Sequence, residues 1–157
     1  MGRQSIGPVR TMWWALCLLL MVGALGCGEP KTSDETAAGQ RNMTFLARFY
    51  GRYQAMSRGV LPPSEEAFRK FLAMEQIAEE VKGTGITNIE DLFVSPRDKQ
   101  KYVIQYKTRP NNPGLNNDPI FAYEAVGVDG KRFAASLSGA VEELDAEQFK
   151  AAVPDAK

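Results

Sequence analysis

The sequence predicts an α+β domain: N-terminal helices, then an antiparallel meander of three or four strands, then a short C-terminal helix. Two observations carry that reading. Apolar residues recur at three- and four-residue steps as far as Lys82, the mark of helices buried on one face, whereas beyond Pro96 they alternate around an Asp-Gly turn. Helices and strands thus occupy separate runs of the chain instead of alternating, which is the α+β order.

The helices come first. Met43, Phe45, Leu46, Phe49, Tyr50, Tyr53 and Met56 share one face of a helix expected from about Arg41 to Arg58 and stopped by Gly59. Pro62 and Pro63 close the next connection and Ser64 is an N-cap. Glu65 and Glu66 follow in the first turn, where the helix dipole favours negative charge. Phe68, Phe71, Leu72 and Ile77 then mark a single second helix ending near Lys82-Gly83. Thr87 and Glu90 have the spacing of a capping box for a short turn, Asn88 to Phe93.

In Lys101 to Thr108, Tyr102, Ile104 and Tyr106 fall on one side, which reads as a strand. Arg109 to Pro119 is dense in Asn, Pro and Gly and reads as an irregular loop. Ile120 to Val128 and Lys131 to Leu137 flank Asp129-Gly130, a strong hairpin signal because a two-residue turn needs positive φ. A turn at Ser138-Gly139 leads to the strand Ala140 to Leu144, and Asp145 with Gln148 three residues on caps a last helix through Val153.

Ahead of all this lies a different kind of segment. Arg3 and Arg10 are the only charges before Glu29, and Met12 to Leu25 is an apolar run of 14 residues. A membrane-spanning helix needs about 20, so the run suits the middle of a secretory signal. It is apolar on every face, unlike a core helix. The Ala24-Leu25-Gly26-Cys27 sequence at its end resembles a bacterial lipobox, which places Ala24 where the family usually has Leu. The resemblance implies cleavage after Gly26 and a diacylglyceryl group on Cys27, with added acyl chains as the membrane anchor. Gly28, standing where an inner-membrane lipoprotein has aspartate, implies sorting to the outer membrane, on its periplasmic face.

These readings divide the chain into a signal peptide at 1–26, a lipidated N-terminus and flexible tether at 27–40, and one α+β domain at 41–157. Gly28 to Gln40 holds no large apolar side chain, and 13 such residues reach roughly 20 Å as a random coil. Cleavage leaves 131 of the 157 residues, enough for a single core. Taking Arg3 and Arg10 from the 19 basic residues leaves 17 against 19 acidic ones, a net charge of −2 and no basic excess to attract nucleic acid. Cys17 departs with the signal, so Cys27 becomes the sole cysteine and no internal disulfide can form.

The absence of histidine decides more than any motif present. It removes the usual general base, the Ser-His and Cys-His nucleophile pairs and the commonest transition-metal ligand, and the cysteine count removes thiolate sites. No catalytic residue, cofactor site or metal site is therefore expected. The neighbouring pairs Glu65-Glu66, Glu79-Glu80 and Glu142-Glu143 point to different sides of their elements and read as solvated surface. Asn116, Asn117 and Asp118 offer oxygen ligands but lack the acidic spacing and closing glutamate of a calcium loop. Arg48, Arg52, Arg58 and Arg69 are spread over two helices, not gathered in a patch. Ser95 and Ser136 are candidates for a histidine-free Ser/Lys hydrolase, and no S-x-x-K motif accompanies them.

With Gly59, Pro62 and Glu66 in a G-x-x-P-x-x-x-E arrangement and the V-D-G-K-R-F hairpin at Val128 to Phe133, the stretch from Met43 to Leu144 resembles the globular part of bacterial type II secretion pseudopilins. That resemblance implies an N-terminal helix leading to a small antiparallel sheet. The Gly-Phe-Thr-Leu-Ile-Glu type of motif that a prepilin places before its apolar helix has no counterpart here. The expectation is a lipid-anchored envelope protein, held on the membrane by its N-terminal lipid, whose non-catalytic domain binds an envelope protein partner; the alternative is a pseudopilin-like component of a secretion or pilus assembly.

Overall fold

The structure, a computed structural model, describes residues 33–156. Helix α1 (Ser33–Met56) is followed by α2 (Glu65–Leu72), α3 (Glu75–Gly83) and a 3₁₀ turn at Ile89–Leu92. Four strands come next, β1 (Val103–Ile104), β2 (Ile120–Tyr123), β3 (Arg132–Ser136) and β4 (Val141–Leu144), and α4 (Ala146–Ala152) closes the chain. The strands pair in sequence order, every pair antiparallel, so the fold is α+β with helices ahead of a four-stranded meander.

Alternation along the strands divides the core into two layers. Phe133 and Ala135 of β3 face α1, α2 and α3 together with Phe121 of β2. Ala134, Ile120 and Tyr123 face the other way, against Phe149, Ala152 and Val153 of the C-terminal segment. A register shift between Ile120 and Ala122 puts Phe121 and Ala122 on the same side. On the helical side Tyr50 stacks on Phe121 with ring centres 4.1 Å apart, and Phe68 meets Tyr50 and Phe93 edge-on.

Helix α1 starts eight residues before the expected position, so 33–40, which composition assigns to the tether, are helical. The segment has no large apolar residue because it packs through small ones. Gly39 is buried against the side chain of Arg97, and Glu35 pairs with Lys99 at 3.0 Å. Ala37 and Ala38, the best helix formers, favour the same conformation. The second predicted helix is two: Ala73 ends α2 and Met74 opens α3 with extended backbone and no side-chain cap. The 3₁₀ turn is capped by Asn88, whose side chain accepts from Glu90 N, instead of by Thr87. Ser64 caps α2, and Asp145 with Gln148 forms a complete capping box on α4.

Strands β1 and β2 are shorter than the alternating pattern implies. The chain beyond Tyr123 leaves the ladder to reach a two-residue turn at Asp129-Gly130, whose φ values of 51° and 75° are those the Asp-Gly signal predicts. Among the described residues no helix is long and apolar enough to cross a membrane. Cys27 and the apolar run Met12 to Leu25 lie outside the described residues.

Candidate functional site

The acidic pairs singled out by sequence separate in space. Glu65 engages Arg69 at 2.6 Å while Glu66 engages Lys70 at 2.7 Å. Glu79 holds Lys82, whereas Glu80 receives Arg52 across from α1. Of the third pair, Glu142 is exposed and Glu143 turns toward Arg97. Arg69 also pairs with Glu90 and lies over the Phe93 ring at 3.8 Å, a structural rather than a free cation. Asn116 and Asn117 take up left-handed backbone in a turn closed by Leu115 and Asp118. The Asp118 carboxylate accepts from Ser138 N at 2.8 Å. Among the described residues no group of three or more His, Cys, Asp or Glu side chains is placed to hold a metal ion.

Sequence reasoning missed a buried ionic cluster beneath the loop that follows the 3₁₀ turn. Glu124 has no exposed surface. Its Oε1 accepts from Ser95 Oγ at 2.6 Å and its Oε2 from Phe133 N at 2.9 Å. Arg97, also buried, stands 3.8 Å from Glu124 Oε2 and donates to Glu143 Oε1 at 2.7 Å, its guanidinium 4.4 Å from the centre of the Phe133 ring. Burying a carboxylate is costly unless its oxygens are hydrogen-bonded and a cation stands nearby. The signal was a single acid inside the apolar run I-F-A-Y-E-A-V. Both carboxylate oxygens are spent on the protein, so the cluster clamps the Ser95–Arg97 segment to the sheet and is out of reach of a solute. Ser95 and Ser136 are themselves fully buried. The Tyr102 hydroxyl, buried beside Ser95 and Glu124, reaches no partner in good hydrogen-bond geometry; burial followed by the Glu124 charge pushes its pKa up, and the adjacent Ser95 hydroxyl opposes that rise.

A second feature is the loop from Gln105 to Pro119, irregular yet tightly held. The Asn112 side chain acts as a short strand, Nδ2 donating to Ile120 O at 2.9 Å and Oδ1 accepting from Ile120 N at 2.8 Å. Gly114 N donates to Ala152 O at 3.1 Å, which ties the loop to the end of α4. Gly114 is required here: its φ is +66°, and a Cβ would fall 1.9 Å from Asp118 O. Desolvation acts to raise the Asp118 pKa, but hydrogen bonds from Ser136 and Ser138 and the charge of Arg109 outweigh it and hold it below the ordinary value. Between this loop and the turn after α4 opens a cleft of about 320 Å³, bordered by Arg109, Asn111, Tyr123 and Asp155 among others.

No family model, no curated protein and no solved structure matches this chain. A comparable opening of about 320 Å³ lies beside the first half of α1, between Arg41, Asn42 and the Val94–Pro96 segment. There Asn42 Nδ2 is already bonded to Asp91 O and Lys99 to Glu35, so its polar groups are largely committed to the protein. The cleft under the Gln105–Pro119 loop is bordered by Gln105, Thr108, Arg109, Asn111 and Asp155, whose side chains form no hydrogen bond or ion pair with the rest of the described residues, and it is the candidate binding site.

Proposed function

We propose that this is an exported, lipid-anchored protein of the bacterial cell envelope, held on the periplasmic face of the outer membrane through Cys27, with a non-catalytic domain that binds an envelope partner. The observation that carries the reading is the order of its first residues: Arg3 and Arg10, then 14 apolar residues, then Gly26-Cys27. A domain with no cysteine after Cys27 suits an oxidising compartment, where a stray thiol would cross-link. Helix α1 begins at Ser33, six residues after Cys27, and six extended residues span at most about 20 Å, so a lipid there would keep the domain at the membrane surface. The buried cluster around Glu124 supports a structural role for the charged residues of the core.

The test is fractionation of a bacterial host expressing the chain and its Cys27→Ala variant. The reading expects the wild type in the membrane fraction, released by detergent and not by high salt, and the variant either soluble or retained in the uncleaved form. Equal membrane association of a cleaved Cys27→Ala protein overturns it. The packing of α1 on the sheet favours a second reading as a pseudopilin-like component; crosslinking in the envelope that traps ordered oligomers of the chain supports that reading, and a crosslinked heteromer without oligomers supports the first.

A further inference from the structure

We infer that the cleft between the Gln105–Pro119 loop and the C-terminal turn is a binding site for a neutral, N-acetylated saccharide. The inference is independent of the lipid anchor. It starts from how much of the protein is devoted to fixing the walls. One wall is pinned through the paired Asn112–Ile120 hydrogen bonds and through Gly114 to Ala152, and the other is the turn closed by Ala156 N donating to Val153 O. Long loops without regular structure are uncommon in compact domains, and those held rigid on a scaffold commonly carry binding. A volume of about 320 Å³ is within the ~300–1,000 Å³ range of small-molecule pockets.

The floor is Tyr123. Its ring is fixed edge-on to Phe149 with centres 5.0 Å apart, and the residue is only 4% exposed while bordering the cleft. Its hydroxyl, like that of any tyrosine at neutral pH, can both donate and accept.

The rim selects the ligand class. Gln105, Thr108 and Asn111 bring side-chain amides and a hydroxyl, and Arg109 is balanced by Asp155. With one cation set against one anion, and Asp118 within the field of Arg109, the site has no excess charge to hold a phosphate or a polyanion. Its few apolar borders, such as Pro110 and Val153, suit the C–H face of a sugar ring better than a wholly apolar ligand. Side-chain amides match the N–H and C=O of an acetamido group one for one, and hydroxyls serve as both donor and acceptor. A peptide adding as a strand finds no free backbone at Gln105, whose N–H is bonded to Phe121 O and whose C=O accepts from Tyr50 Oη.

The experiment is calorimetric titration of the full chain in detergent with chitotriose, the trimer of N-acetylglucosamine, alongside inorganic phosphate and trialanine. The wild type is expected to give saturable binding with chitotriose alone. Tyr123→Phe, which removes only the hydroxyl, and Asn111→Ala, on an exposed side chain, are each expected to weaken it about ten-fold, the loss of roughly one hydrogen bond, with thermal midpoints unchanged. Absence of saturable heat with millimolar chitotriose overturns the inference. So does binding that both variants leave intact, or equal binding of phosphate or trialanine.

Discussion

Gly39 of α1 lies so close to Arg97 that a Cβ on it would fall 2.8 Å from Arg97 Cδ. The guanidinium cannot retreat, because it is fixed between Glu143 and the Phe133 ring. Gly39→Ala is therefore expected to destabilise the protein by about 1–3 kcal/mol despite the higher helix propensity of alanine. Gly51, in the same helix with open space around it, is the control: Gly51→Ala should stabilise by about 0.5–1 kcal/mol. Thermal unfolding of the two variants gives opposite shifts if the contact is as described, and equal shifts if it is not.

Glu124 and Arg97 form a pair whose worth lies mostly in what happens when one is removed. Glu124→Ala leaves Ser95 Oγ and Phe133 N without their acceptor and Arg97 with Glu143 as its remaining acid partner. The expected cost is about 3–5 kcal/mol in urea unfolding. Replacing both charges, with Glu124→Leu and Arg97→Met together, should recover a substantial part of that loss. A double variant as unstable as the sum of its singles would contradict the coupling.

Tyr102 offers a substitution in the opposite direction. Its hydroxyl is buried and meets only Ser95, outside good hydrogen-bond geometry, so Tyr102→Phe removes a desolvated group at the cost of a weak contact at most. The variant should be more stable by about 1 kcal/mol, read from the urea midpoint at constant slope. A clear loss of stability would mean that the hydroxyl has a partner in solution.

Asp118 sets part of the acid limb of stability. Its folded pKa is below the ordinary value of 3.8, so its contribution is present above that value and is lost as pH falls through the folded pKa. The gap in thermal midpoint between wild type and Asp118→Asn should therefore be full at pH 6 and close progressively below about pH 4. A gap that stays constant down to pH 3 would rule out the carboxylate as the cause.

Much of this architecture was legible in the chain because its signals are local. The faces of α1 and α2, the caps at Ser64 and Asp145, and the Asp129-Gly130 turn all follow from residues within a few positions of one another. What escaped was set by distant partners. Residues 33–40 look like a spacer until Arg97, nearly 60 positions away, packs on Gly39. The cluster around Glu124 draws on Ser95, Arg97, Phe133 and Glu143, four residues from three separate stretches. The cleft likewise joins a loop, a strand and the C-terminal turn, and no spacing in the sequence marks it.

The claim on which the functional account rests is that Cys27 becomes the lipidated first residue of the mature protein. The intact mass of the protein purified from a bacterial host, with its N-terminal peptide, tests it most directly. The account predicts a chain beginning at Cys27, lacking Trp13 and Trp14 and carrying the mass of a diacylglyceryl group, with or without a further acyl chain. An unmodified Cys27, whether the cut falls elsewhere or is never made, would contradict it.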